Sequence, residues 1–210
     1  MKSASNEKSV VLVGAGLVGS LLSCYLLKRG YKVDIYERRN DMRKDAAYAG
    51  RSINLALSDR GWRGLSGVGL VEAVKEVAIP MSGRMIHNLD GSLVYQPYGK
   101  EGQAINSVSR GGLNIVLMNE AEKAGATIHF NERCTNIDLE TNTLHFENTI
   151  TGERTVVKSG LVISSDGAYS AGRLGMMQTD RYNYAQQYID HGYKELTIPP
   201  GESGSFRMEK

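Results

Sequence analysis

The feature that most constrains this chain is a short apolar run that stops at a glycine-rich turn. Ser9-Val10-Val11-Leu12-Val13 leads directly into Gly14-Ala15-Gly16-Leu17-Val18-Gly19. A nearly continuous apolar run of this length fits a parallel strand buried on both faces. From Leu17 to Arg29 the apolar residues Val18, Leu21, Leu22, Tyr25 and Leu26 recur on one helical face, and Gly30 ends the helix. Lys32-Val33-Asp34-Ile35-Tyr36-Glu37 then reads as a second strand. Strand, helix, strand makes a βαβ unit, whose crossover is right-handed and parallel.

Each glycine of the turn has its own reason. Gly14 permits the tight bend, Gly16 lets a pyrophosphate approach the backbone, and Gly19 lets helix and strand pack closely. Phosphates then lie at the positive end of the helix. Glu37 closes the second strand about twenty residues further on, where a carboxylate accepts hydrogen bonds from ribose hydroxyls. It would also repel a 2′-phosphate, so the nucleotide expected here is FAD or NAD rather than NADP. The bland alternative is a glycine-rich turn with no ligand.

Further along, residues 53–58 alternate as a short extended piece, and Trp62 to Val77 is expected as one helix despite its glycines. Met85 to Tyr98, with a turn at Asn88-Leu89-Asp90-Gly91, predicts a hairpin. Gly112 to Ala124 predicts a helix, with Leu113, Val116, Leu117 and Ala121 on one face. Short strands are expected near Thr127–Phe130, Cys134–Glu140, Thr143–Asn148 and Arg154–Val157, with a buried strand over Gly160–Ser164 that ends at Asp166-Gly167. A strand-like Tyr193–Ile198 runs into a polar, Gly/Ser-rich end, which suggests a piece of a longer protein.

Composition serves mainly to exclude. The 210 residues, 41% hydrophobic and 23% charged, suffice for one sizeable domain, or one domain and part of another. A net charge of +2 gives no field for nucleic acid or for an anionic membrane. Cys24 and Cys134 read as free thiols in a reducing compartment. Four scattered histidines without a Cys-x-x-Cys give a metal site nothing to build on. The first residues lack the apolar core of a signal peptide, and the apolar stretch near Leu17–Leu27 is too short to span a bilayer. A cytoplasmic protein is expected.

A second signal chooses between the two nucleotides. Asp166-Gly167-Ala168-Tyr169-Ser170-Ala171-Gly172-Arg173 follows a buried strand, so it emerges at the carboxyl end of the sheet, where ligands bind. An Asp-Gly turn alone is commonplace. Together with the glycine turn, this D-G-x-x-S-x-x-R pattern resembles the second fingerprint of the flavin-dependent aromatic hydroxylases. One departure is Ser164-Ser165, where that family often has glycine and another small residue. Longer runs narrow the resemblance: Gly50–Ser58, Gly83–His87 with Gly91, Ile105–Arg110, Gln186–Ile189 and His191–Pro200. They are similar to the branch of that family that hydroxylates L-kynurenine, and the similarity extends over residues 9–200.

The resemblance implies an α/β chain: a Rossmann-type FAD-binding domain with a βαβ unit and a β-meander, plus part of a β-rich substrate domain. It implies a first FAD-binding segment over 1–79, a substrate-domain hairpin over 80–108, a second FAD-binding segment over 109–180, and the start of a substrate-domain sheet over 181–210. The family's later Gly-Asp fingerprint is absent after Arg173. FAD is the implied cofactor, with NADPH and O2 as co-substrates, and L-kynurenine goes to 3-hydroxykynurenine in tryptophan breakdown and NAD biosynthesis.

By the same resemblance Gly14, Gly16, Val18, Gly19, Tyr36, Glu37, Arg38, Arg39, Ala56, Arg110, Asp166 and Cys134, the last through its backbone, surround FAD. Arg84 and Tyr98 match the pair that holds the substrate carboxylate. A guanidinium fork suits a carboxylate, and a tyrosine adds a hydroxyl donor and an aromatic wall. From the residues alone both read as surface positions of a hairpin. Arg110, at a helix start where a cation opposes the dipole, reads alone either as a surface arginine or as a ligand contact. His87 reads as an exposed hairpin histidine rather than a base. No catalytic acid or base is expected, because the cofactor carries the hard chemistry. Three alternatives stay open: a related hydroxylase with another substrate, an NAD-dependent dehydrogenase (for which no catalytic His or Lys/Tyr motif is found), and a non-catalytic nucleotide-binding fragment. Monomer and homodimer are equally open.

Overall fold

Val10 to Val13 are buried because two separate layers cover the strand that carries them. The computed structural model describes residues 8–44, 54–192, 194 and 198–205. Strand β1 (Ser9–Val13) pairs in parallel with β2 (Lys32–Glu37) and with β12 (Val162–Ser164), and β8 (Thr127–Phe130) pairs in parallel with β2. The sheet order is β12-β1-β2-β8. Alternation along β1 and β2 splits their side chains between two cores. Val10, Leu12, Val33 and Ile35 face helices α1 (Leu17–Lys28) and α4 (Arg110–Lys123), with Leu113, Leu117 and Ala121. Val11 and Val13 face a second core containing Ile137, Leu144 and Phe146. Each fully buried side chain of this size stabilises the fold by about 1.5–3 kcal/mol.

The second core lies beneath an antiparallel meander of β9 (Glu132–Asp138), β10 (Thr143–Asn148) and β11 (Arg154–Lys158), with a bulge between His145 and Phe146. Strand β9 runs two residues earlier than the expected Cys134–Glu140. Asp138 ends it, because its Oδ1 accepts from the amides of Glu140 at 2.9 Å and Thr141 at 3.0 Å and so turns the chain. Tyr36 is stacked between His129 and Phe146, with ring centroids 4.4 and 4.1 Å away, and so links the parallel sheet to the meander.

Between β2 and β8 the chain makes further elements. Strands β3 (Asn54–Leu57), β4 (Ala78–Met81) and β7 (Ile105–Ser109) form an antiparallel sheet in the order β3-β7-β4. Strands β5 (Gly83–His87) and β6 (Leu93–Pro97) form the expected hairpin about residues 88–92. The expected single helix over Trp62–Val77 is instead two, α2 (Asp59–Ser66) and α3 (Val71–Lys75). Gly69 adopts φ +76° and the Leu70 amide donates to Leu65 O at 3.0 Å, which closes α2 and turns the chain. The glycines here serve packing: the Tyr25 hydroxyl donates to Gly64 O at 2.5 Å, and a Cβ on Gly67 would lie 2.8 Å from the Tyr25 ring.

After β12, a single turn over Gly167–Tyr169 precedes α5 (Ala171–Met177), whose N-cap Ser170 accepts from the Arg173 amide at 3.0 Å. Of the strand-like Tyr193–Ile198, residues 193 and 195–197 lie outside the described residues, as do 50–53 of the run ending at Ser58. No helix among the described residues is long and apolar enough to cross a membrane.

Candidate cofactor and substrate site

The three glycines of the turn meet different surroundings. Gly14 has φ +98°, and a Cβ there would stand 2.8 Å from Ser165 O and 3.0 Å from Asp166 Cα. A Cβ on Gly19 would stand 2.7 Å from Ser165 Oγ and would also collide with the Gly14 carbonyl. Both positions are glycine because protein lies against them. Gly16 is different: its backbone is extended, and a Cβ there would meet nothing within 4 Å. Helix α1 starts at this open position with no side-chain cap and no acid in its first turn. Its leading N–H groups thus have no side-chain cap, beside a backbone with no Cβ, which suits a pyrophosphate.

Glu37 lies against the same turn. Its Oε2 accepts from the Ala15 amide at 2.9 Å, and its Oε1 accepts from the amide and Nε of Arg39 at 3.0 and 2.9 Å. Only 6% of Glu37 is exposed. Besides the expected ribose contact, the group therefore holds the turn. A carboxylate has about four acceptor sites, so capacity for ribose hydroxyls remains.

Ser165 closes the turn from the other side, donating from Oγ to the carbonyls of Val13 at 2.9 Å and Gly14 at 3.0 Å. Asp166 Oδ2 accepts from the Ala171 amide at 2.6 Å, while its Oδ1 is buried with no partner among the described residues. An orphaned carboxylate oxygen beside the glycine turn fits a donor supplied by a ligand or water. Nearby, burial foremost and then the Asp166 charge push the Cys134 thiol up to about 12. Burial foremost, with the Asp34 and Glu132 charges, also raises the Tyr36 hydroxyl above its ordinary value.

The remaining expected contacts spread around this centre. Val18 is 67% exposed in the first turn of α1. Arg38 is exposed, and its carbonyl accepts from Thr149 Oγ1 at 3.3 Å. Ala56 lies on β3 opposite Ser107, and exposed Arg110 opens α4 just after its cap Ser109. Arg84 and Tyr98 lie on the hairpin. Register pairs Arg84 with Gln96, whose Oε1 accepts from Arg84 Nε at 2.7 Å, and Tyr98 is two residues beyond Gln96. Arg84 and Tyr98 therefore share one face of the hairpin. His87 is exposed beside the hairpin turn. Among the described residues no hydrogen bond or ion pair joins the hairpin to the glycine turn. Gly14, Gly19, Glu37 and Asp166 are brought together, and Arg84 and Tyr98 form a separate group.

Two groups escaped the sequence reading. Asn114 of α4 donates from Nδ2 to Ala15 O at 3.0 Å, across 99 positions of chain. Its one sequence signal is an asparagine inside a helix, where that residue is a poor former. Arg43 bonds Asp41, Asn119 and Glu122 together, pinning the turn at Met42–Lys44 to α4. Its guanidinium holds the Asp41 carboxyl below the ordinary range. Between these groups lies a small cleft of about 20 Å³, lined by Ala15, Glu37, Arg39, Asn40, Met42, Asn114, Met118 and Phe130.

Comparison with known proteins agrees with this geometry. The FAD binding domain family matches residues 7–187. The kynurenine 3-monooxygenase of Myxococcus xanthus is 48% identical over 210 residues, covering 99% of this chain and 45% of that protein. The kynurenine 3-monooxygenase of Sus scrofa is 44% identical over 205 residues, covering 96% of this chain and 42% of that protein. The chain thus spans less than half the length of these relatives. Among solved structures, the flavin-dependent monooxygenase PieE in complex with FAD and substrate aligns with a TM-score of 0.67 at 17% identity, over 83% of this chain and 33% of that one. Tetrameric 2-methyl-3-hydroxypyridine-5-carboxylic acid oxygenase aligns with 0.63 at 22% identity, over 80% and 41%. A family match across most of the chain, on a turn whose middle glycine faces open space, identifies it: the chain belongs to the FAD binding domain family.

Proposed function

We propose that this chain is the FAD-binding part of a kynurenine 3-monooxygenase, which converts L-kynurenine to 3-hydroxykynurenine with NADPH and O2. The observation that carries the reading is the 48% identity to the Myxococcus xanthus enzyme of that name over nearly the whole chain. The pyrophosphate lies along Gly14, Gly16, Val18 and Gly19, at the start of α1. Glu37 accepts from the adenosine ribose with the capacity that Ala15 and Arg39 leave free. Tyr36, Arg38 and Arg39 border the adenosine end, and Cys134 contributes backbone. Ala56, Arg110 and Asp166 face the rest of the cofactor. When bound, FAD supplies the redox chemistry, taking hydride from NADPH and activating O2 for transfer of one oxygen atom to the ring.

The protein's own tasks are position and dryness. Arg84 and Tyr98 grip the substrate carboxylate from one face of the hairpin, which sets the ring relative to the cofactor. The shared hairpin face, and an Arg84 guanidinium with no carboxylate partner among the described residues, support this role. Residues 80–108 and 181–210 belong to the substrate-facing part, and 1–79 with 109–180 to the cofactor part.

The test is purification followed by two measurements. The full-length protein that carries this chain should show oxidised-flavin absorption, and with NADPH and L-kynurenine it should yield 3-hydroxykynurenine on chromatography, whereas these 210 residues alone should yield none. Flavin uptake with hydroxylation of a different aromatic acid, and none of kynurenine, would assign the chain to a related hydroxylase instead.

A further inference from the structure

We propose that Asn114 is a positioning residue for the cofactor phosphates, because it aims the Gly16 amide at them. The inference rests on the FAD reading above. Asn114 stands in the second turn of α4, and its Nδ2 donates to Ala15 O at 3.0 Å. The same carbonyl accepts from Ser20 Oγ at 3.2 Å, and Ser20 is wholly buried. Both donors therefore draw the Ala15 carbonyl inward, toward the packed α1 and α4. The described chain has no cis peptide bond, and in a planar trans peptide the N–H points opposite to the C=O. An Ala15 carbonyl held inward thus turns the Gly16 N–H outward. That is the residue whose Cβ direction meets no protein atom within 4 Å.

The two ends of Ala15 are held separately. Glu37 Oε2 takes its N–H at 2.9 Å, while Asn114 takes its carbonyl. With both fixed, the peptide cannot rotate to offer a carbonyl to the phosphate, which would repel it. The second amide atom of Asn114 supports a role beyond packing. Its Oδ1 is buried with no partner among the described residues. Exchanging the two amide atoms would set oxygen against the Ala15 carbonyl, so Nδ2 is the one that faces it. A leucine of similar size would leave no acceptor unpaired, so as mere filling the amide is a liability.

The experiment uses Asn114→Leu in the purified protein, with FAD affinity measured by flavin fluorescence. Competition with ADP and with adenosine, and melting of the apoprotein, complete the set. Loss of one backbone donor to a phosphate should weaken FAD and ADP each by roughly ten- to a hundredfold. Adenosine has no phosphate and should bind as before. Ser20→Ala removes the other donor to the same carbonyl and should give a smaller loss with the same split, which keeps the test available should Asn114→Leu fail to fold. Wild-type affinity for FAD and ADP in these variants would overturn the proposal, and so would an equal loss for adenosine. A wild-type protein that takes up no FAD would instead overturn the parent reading.

Discussion

The Ala15 amide donates to Glu37 Oε2 at 2.9 Å, so the residue at the end of β2 holds the turn that follows β1. Strands β1 and β2 are neighbours in register, with Val13 opposite Tyr36, which sets Glu37 one step beyond the pair. The Gly14 amide donates to Tyr36 O at 2.7 Å and reinforces the same junction. One carboxylate thereby shapes the turn and, in the proposed reading, also faces the nucleotide.

Replacing Glu37 should accordingly damage two properties together. Glu37→Ala leaves the buried Ala15 amide without its acceptor, which costs about 1–3 kcal/mol of stability. FAD affinity should fall by more than tenfold beyond that. Urea unfolding of the apoprotein and FAD titration measure the two effects separately. Undiminished stability would show that the Ala15 bond contributes nothing.

The glycines should divide by mechanism. A Cβ at Gly16 meets nothing within 4 Å, so the Gly16→Val apoprotein should melt normally while FAD retention is lost. Gly19→Ala drives a methyl group onto the Gly14 carbonyl and should destabilise the apoprotein by about 1–3 kcal/mol. Thermal melts with and without FAD distinguish them. Stoichiometric FAD in folded Gly16→Val would remove that position from the site.

In the full-length enzyme, Arg84→Met should raise the KM for L-kynurenine by roughly ten- to a hundredfold, as expected when a charged hydrogen-bonded partner worth about 1.5–3 kcal/mol is lost. FAD content should not change, since Arg84 lies on the hairpin and bonds Gln96. Steady-state kinetics and a flavin absorbance ratio supply both numbers, and an unaltered KM would take Arg84 out of the substrate site.

Acid should expose the contribution of Asp41. Bonding to Arg43 holds its carboxyl below the ordinary 3.8, so the pair stabilises the fold above that value. The stabilisation is lost as pH falls through the lower, folded-state value. Wild type should therefore exceed Asp41→Asn in stability at pH 6 to 7, and the gap should close on acidification below about 4. Urea unfolding at a series of pH values reads this directly, and a gap that does not depend on pH would exclude the linkage.

The βαβ unit was legible because its cues are local. Val10 to Val13 carry the signal of a strand covered on both faces, and Gly30 at φ +78° ends α1 as its position suggested. Arg84 and Tyr98 read from the residues only as surface positions of a hairpin, and their shared face comes from the pairing of Arg84 with Gln96. What stayed hidden depends on partners distant in sequence. Nothing near Gly67 announces that Tyr25 will pack there, 42 positions away in sequence. Strand β4 was obscure because Pro80 and the 66% exposed Ile79 spoil its pattern, and it is tolerated as the edge of its sheet. Asn114 and Ser165 reach the turn across 99 and 151 positions, beyond any local rule.

The seat of Ser165 against Gly14 has a kinetic side. Strand β1 can find β2 early, through a short crossover, but its other neighbour β12 lies at the far end of the same domain. Contacts of that separation form late, because a long loop must close before they yield anything. During synthesis the first fingerprint thus leaves the ribosome long before the segment that rigidifies it. Until then the glycine turn is a strand-to-helix bend beside an exposed hydrophobic strand edge, a state prone to mispairing. Capture of the nucleotide is therefore expected to follow completion of the domain.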